Sequence, residues 1–410
     1  MDPLSRRRIL TAGAGAAGGL AALSVGTAAN ALAATAGQPV RVSPIGNDPG
    51  PHDPVRDGED PDLLDPPRTD HGTLPNLKFS FADSHVRETD GGWTRQVTER
   101  ELGVSKGMAG VDMRLIPGGV RELHWHKQAE WSIMLAGTAR ITAVDQNGRN
   151  FIDDVGEGDL WYFPPGIPHS IQALGQGCEF LLVFDDGSFN EDSTFLISDW
   201  FKHIPPDVLA KNFGVPASNF GHTPDPEQRY MFPLPIPGPL AQDRVAGNGT
   251  VPESFSFRPS TVTPMTFKSG NVRVIDSSNF KAARTIAAAI VEVEPGGLRE
   301  LHWHPNTDEW QYYIAGQGRM GVFGASGDAR TFDYRAGDVG YVPFAMGHYI
   351  ENTGSTPLRF LEMFKAPQFE DVSLNQWMAL TPPELVQGHL DLSDQVIQAL
   401  SKTKHAVVPA

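Results

Sequence analysis

One phrase of this sequence occurs twice, and the duplication limits what the chain can fold into more than any other feature. GGVRELHWHKQAEWSIMLAG runs from Gly118 to Gly137, and GGLRELHWHPNTDEWQYYIAG from Gly296 to Gly316. The register extends well beyond the phrase. Gly92 matches Gly270, Pro117 matches Pro295, and His124 and His126 match His302 and His304, all at an offset of 178. After a one-residue insertion the offset is 179 for Glu130 and Glu309, Gly158 and Gly337, and His169 and His348. Two copies of one domain are expected, at 79–230 and 254–410, joined by a linker at 231–253.

Each copy is a series of short apolar runs separated by turn residues, such as WSIMLAG, ARITAV and EFLLVF in the first and WQYYIAG, RMGVFG and RFLEMF in the second. With 43 Gly and 34 Pro in 410 residues to make the turns, this pattern implies an all-β fold of two tandem jelly-roll barrels. Short helices are expected to flank the barrels. Pro205-Pro206-Asp207 and Pro382-Pro383-Glu384 read as helix starts, and Ser393 as the cap of a last helix.

The formal charge of −16 argues against nucleic acid and anionic membranes as partners. Cys178 is the only cysteine, which excludes an internal disulfide. Residues 1–33 read as a twin-arginine signal peptide: Arg6-Arg7-Arg8 precede an uncharged Ala/Gly-rich run that ends in Ala31-Leu32-Ala33. Export after folding would let the protein take up its metal inside the cell, away from tighter-binding copper and zinc. No stable membrane association is expected once the leader is removed. Residues 34–78, rich in Pro, Gly and Asp and without an apolar period, read as an extended arm.

Residues two apart on a strand face the same way, so His124 and His126 can converge on one ion, as can His302 and His304. Glu130 and Glu309 follow around the next turn, and His169 and His348 come from a later strand. Three imidazoles and one carboxylate leave two positions open on an octahedral ion, a set suited to manganese or ferrous iron. Arg121 and Arg299 lie three residues before the first ligand of each set. Because three residues along a strand reverses the face, a bend or a neighbouring loop must aim them at the ion. A guanidinium there suits a carboxylate substrate.

The pattern G-x5-HxH-x3/4-E-x6-G followed by G-x5-PxG-x2-H-x3-N resembles the paired motifs of the cupin superfamily. The first copy ends on Ala173 where the pattern has Asn, and the second has Ala345 in place of a Gly but keeps Asn352. Longer phrases, among them RELHWHK, FIDDVGEGDLWYFP and AGDVGYVPFAMGHY, resemble the bacterial oxalate decarboxylases, from about residue 75 to the C-terminus. The resemblance implies two Mn2+ per chain, oxalate as substrate, dioxygen as catalytic co-substrate, formate and CO2 as products, and a homo-oligomer, a hexamer in that family. An oxalate oxidase, which yields peroxide and a second CO2, is the alternative enzyme. A storage bicupin is the non-enzymatic one, although such chains commonly lose ligands that are intact here.

In that family a lid of the form SENST carries a glutamate that shuttles the proton, and here Asn190–Thr194 reads NEDST, which makes Glu191 the expected acid. Phe189 to Trp200 spans 11 residues, against 8 from Phe369 to Trp377, so only the first copy has the longer loop. Glu362 falls where the first copy has Leu182 and is expected to point inward, as a second relay or an anchor for the second metal and its water. Site one is therefore read as catalytic, and site two as structural or auxiliary. Trp125 and Trp303, between the ligand histidines, are expected to face the other way and pack.

Overall fold

In the computed structural model, residues 53–64 and 66–410 are described; the leader and the first part of the arm lie outside them. Strands dominate. The first barrel is built on two long strands, Glu130–Val144 and His169–Phe184, which pair with each other and carry Leu160–Phe163, Ala109–Leu115 and Gly92–Val97 outward. Their register shifts between Met134 and Ala136 and again between Gly137 and Ala139, where the pair turns the barrel corner. Gly137 occupies that corner at φ 76°, with the Gly177 carbonyl oxygen 2.1 Å from where a Cβ would sit. In the second barrel the same corner, at Gly316, separates two strands, Glu309–Ala315 and Gln317–Phe323. Six- and seven-stranded sheets face each other there.

Alternation along these strands drives the packing, because every second side chain faces inward. One core fills the first barrel around Trp131, Trp161 and Phe180 and continues through the contact between barrels to Trp310, Tyr312 and Leu361. A second lies inside the other barrel around Tyr313, Met320, Phe332 and Ile350.

The expected helices form at Pro206–Phe213 and Pro383–Leu390, each with proline in its first turn. They end on left-handed residues, Gly214 (φ 68°) and Asp391 (φ 53°). A last helix covers Asp394–Ala399 after Ser393, whose side chain makes no capping bond. Among the described residues no helix is long and apolar enough to cross a membrane.

The arm differs from its expected extended form. Residues 54–59 and 61–64 are short helices, the first capped by Asp53. The segment straps the second barrel rather than leading into the first. His71 bridges to Ala329, the Asp70 carboxylate accepts from the Thr331 amide and hydroxyl (3.0 and 2.8 Å), and Lys78–Ser80 pairs along Asp338–Gly340. Asp62 and Asp333 exchange backbone-to-carboxylate hydrogen bonds of 3.2 and 3.3 Å. The barrel edge supplies partners that the arm's own sequence gives no sign of.

The copies also exchange strands across their expected boundaries. Ser256–Phe257 edges the first barrel against Leu160–Trp161, and Met231–Pro233, in the expected linker, pairs with Gly119–Arg121.

Candidate metal centres and the acid beside the first

In each barrel the strand that carries the first histidine of the HxH pair lies against the strand that has the late histidine near its start, so that His124 pairs directly with His169 and His302 with His348. The two sets, His124, His126, Glu130 and His169, and His302, His304, Glu309 and His348, are buried, and within each set the candidate ligand atoms all lie within 4.8 Å of one another. The bend needed to aim the arginines is present in both copies. The strand register shifts between Arg121 and His124 and between Arg299 and His302. This bulge lets a residue three positions away share the interior with the ligands.

The hydrogen bonds prepare these side chains for a cation. Every ligand Nδ1 contacts a backbone carbonyl: Glu122 for His124 (2.6 Å), Gln128 for His126 (2.7 Å), Ile167 for His169 (2.7 Å), Glu300 for His302 (2.6 Å), Glu370 for His304 (2.7 Å) and Met346 for His348 (3.1 Å). Donation from Nδ1–H fixes the tautomer and turns a lone pair on Nε2 inward. Nε2 of His169, His302, His304 and His348 and Oε2 of Glu309 are buried without a hydrogen-bond partner. Orphaned acceptors gathered at one point fit a metal ion.

Each carboxylate is held from behind. Oε1 of Glu130 accepts from the Trp161 indole (3.1 Å) and the Ser132 hydroxyl (3.2 Å), and Oε1 of Glu309 from Gln311 (2.8 Å). Burial pushes both carboxyls up, but the adjacent imidazoles outweigh it and hold them well below the ordinary range. Burial, reinforced by Arg121 and Arg299, holds His124 and His302 well below the ordinary histidine value, so these imidazoles stay neutral.

The surroundings of the two sites differ. The guanidinium of Arg121 stacks on the Tyr230 ring at 3.8 Å and donates to the Tyr230 carbonyl (3.2 Å), and it makes no ion pair among the described residues. Arg299, fully buried, is locked between Glu362 (2.9 and 3.4 Å) and Asp371 (2.8 Å), and Asp371 also holds Lys404. Glu362 faces inward, as its place on the strand implies, and its partner is Arg299.

Glu191 is buried on a single 3-10 turn, Glu191–Ser193, capped by the Asn190 side chain. Its Oε1 accepts from the Thr94 hydroxyl at 2.5 Å, and the Tyr230 hydroxyl is a second hydrogen-bond partner. Burial raises its carboxyl above the ordinary range, against the pull of Thr94, Arg121 and Arg87. An acid whose burial raises its proton affinity, near a guanidinium without an ion pair among the described residues, can bind a carboxylate and move a proton. Thr94, Tyr230 and Arg87 carry no sequence signal, since Tyr230 reaches Arg121 from 109 positions away. Trp125 and Trp303 turn outward as expected, stacking on Phe195 and packing edge-on to Trp377 respectively.

Together the fold and the sites define a metalloprotein of two tandem jelly-roll barrels, each enclosing a three-histidine, one-carboxylate centre. The family model for cupin matches residues 80–219 and 257–398, so the chain belongs to the cupin family. It is 57% identical over 371 residues to oxalate decarboxylase OxdC of Bacillus subtilis, covering 89% of this chain and 96% of that protein. It is 43% identical to a probable oxalate decarboxylase of Arthroderma benhamiae, over 83% of this chain and 85% of the relative. The Bacillus subtilis enzyme solved at pH 4.6 superposes with a TM-score of 0.88 at 56% identity, covering 91% of this chain and 97% of that one. Another similar structure of that enzyme, with the same score, was determined in work on its Mn(II) centres.

Proposed function

We propose that this chain is an oxalate decarboxylase, converting oxalate to formate and CO2 at the first barrel with manganese in both. The observation that carries the assignment is the inequality of the two sites. Only the first combines an arginine free of ion pairs among the described residues with a buried acid, whereas in the second the matching arginine is already neutralised.

His124, His126, Glu130 and His169 would hold the catalytic manganese, and His302, His304, Glu309 and His348 the second. When bound, the metal together with dioxygen would supply a reversible sink for one electron, so that the reaction carries no net redox change. Arg121 pairs with one substrate carboxylate and, already stacked on Tyr230, loses little freedom in doing so. Glu191 accepts the proton of the oxalate monoanion and delivers it to the carbon that becomes formate. Its raised affinity for a proton suits both halves of that transfer.

Two further parts of the reading rest on other features. Arg6, Arg7 and Arg8 ahead of the Ala/Gly run support export by the twin-arginine route, to a secreted, periplasmic or cell-wall-associated location. Exposed Trp200 and Phe213 on the helices after the first barrel, exposed Leu380 and Leu385 on those after the second, and a groove of about 950 Å³ on the first barrel support assembly of several copies, a hexamer by resemblance.

Product analysis tests the function. Manganese-loaded protein given oxalate should release one formate and one CO2 per oxalate. Peroxide with two CO2 would assign it instead as an oxidase, and no turnover by the fully loaded protein would leave a binding or storage role.

A further inference from the structure

The sequence marks Asp192 as a departure from the lid of related decarboxylases, and the structure shows what that carboxylate touches. Its Oδ1 accepts from Arg87 at 3.1 Å. Asp192 is also tied into the turn, since its amide donates to the Asn190 side chain (2.9 Å). Glu191 and Asp192 therefore move as one unit.

Arg87 is itself fixed. Its guanidinium lies over the Tyr230 ring at 3.7 Å, on a ring that also packs against Arg121, and its other nitrogen holds Glu227 at 3.3 Å. It is the direct cross-strand neighbour of Thr94, the residue whose hydroxyl holds Glu191. Cross-strand neighbours point to the same face, so one pair of adjacent residues grips the turn at two points.

The second barrel repeats the register of these strands without the grip. Met265 stands where Arg87 does and pairs with Val272, which stands where Thr94 does. The hydroxyl and the guanidinium occur only in the barrel that has the longer loop.

We infer that Arg87 is a positioning residue that latches the Glu191 turn over the first site through Asp192, while its stacking on Tyr230 joins the latch to the substrate-binding arginine. The inference rests on the reading of Glu191 as the proton carrier. Because Asp192 is 78% exposed and Arg87 22%, the outer pair is open to ions. Salt therefore loosens the latch, whereas the buried Thr94–Glu191 bond is little affected.

Amide hydrogen exchange across Asn190–Thr194 in the manganese-loaded enzyme reads the latch directly. An exposed pair of this kind changes an opening equilibrium about two- to five-fold. Raising salt from about 20 to about 300 mM should accelerate exchange in the wild type by that factor. Asp192→Asn should exchange at the faster rate at both salt concentrations, with formate turnover lowered by a similar factor, and Asp192→Glu should restore both. The Arg87→Gln/Asp192→Asn double variant should show no more exchange than Arg87→Gln alone. Salt-independent exchange in the wild type, additive effects in the double variant, or unchanged formate turnover in Asp192→Asn each overturn the latch. Failure of the underlying reading looks different: Glu191→Gln would still make formate, with the salt response of the turn intact.

Discussion

The charge lock in the second barrel can be tested by neutralising one of its members. Arg299 is wholly buried and donates from Nε to one Glu362 oxygen at 2.9 Å and from a terminal nitrogen to the other at 3.4 Å, while Asp371 takes a third bond at 2.8 Å. In Glu362→Gln the amide oxygen can keep one of the two bonds. The new NH2 then faces a guanidinium N–H, donor against donor. Removing one partner of a buried ion pair costs about 3–5 kcal/mol, and because Asp371 still compensates Arg299 the low end applies, about 3 kcal/mol. At about 1.4 kcal/mol per decade, local opening of the second barrel becomes roughly 100-fold more frequent. Glu362 lies on Leu358–Phe364, opposite Ala289 on Ala287–Val293 and Gln311 on Glu309–Ala315, so amides of those strands should report the change. Hydrogen exchange there should accelerate about 100-fold, while Ala109–Leu115 and His169–Phe184 in the first barrel change little. Acceleration of less than about three-fold in those strands, or equal acceleration in both barrels, would refute the reasoning, since it would mean that Arg299 does not depend on Glu362 for its charge balance.

The other predictions are narrower. Arg121→Lys should raise KM for oxalate about ten-fold or more with little loss of stability, because it removes a planar fork that binds substrate and breaks no ion pair; steady-state kinetics beside a thermal melt checks both halves. His169→Ala should lower bound manganese from two per chain to one and abolish formate production, read by metal analysis and product assay. Burial raises the Asp62 carboxyl to about 7, with the facing Asp333 adding to it. A carboxyl raised on docking favours the protonated form, so the arm should hold most tightly below about pH 4, loosen as pH rises towards 7, and change no further above that. Asp62→Asn should remove the dependence. Protection of the Asp62 and Asp333 amides, corrected for intrinsic exchange rates, measures it.

The parts of this molecule that could be read from sequence are those written with a period. Strands alternate, the duplication keeps its register, and HxH at a spacing of two can converge only on a strand, so barrels and ligands follow from local pattern. Parity alone calls for a bend or a neighbouring loop between Arg121 and His124, and the register shift there is the bend. What stayed hidden depends on partners far along the chain. Nothing near Glu362 indicates that Arg299, 63 positions earlier, is its counterion. Nothing in the Asp-rich arm indicates an edge strand more than 250 positions away, and without an apolar period it reads as unstructured. Ala345 is a local departure that the fold simply absorbs, at φ 62° where an L residue is strained.

The pairing of Lys78–Ser80 with the second barrel also has a consequence in time. In the register Phe79 meets Val339, so 260 positions separate the two partners. At about 5–20 residues per second, roughly 13–50 s pass between synthesis of the one and arrival of the other. Throughout that interval the nascent chain carries an unpaired strand and a row of unmatched aspartates ahead of a barrel free to close without them. An edge of the second barrel is therefore sealed by a segment made long before it, and a chain truncated before Val339 would present that segment to its surroundings.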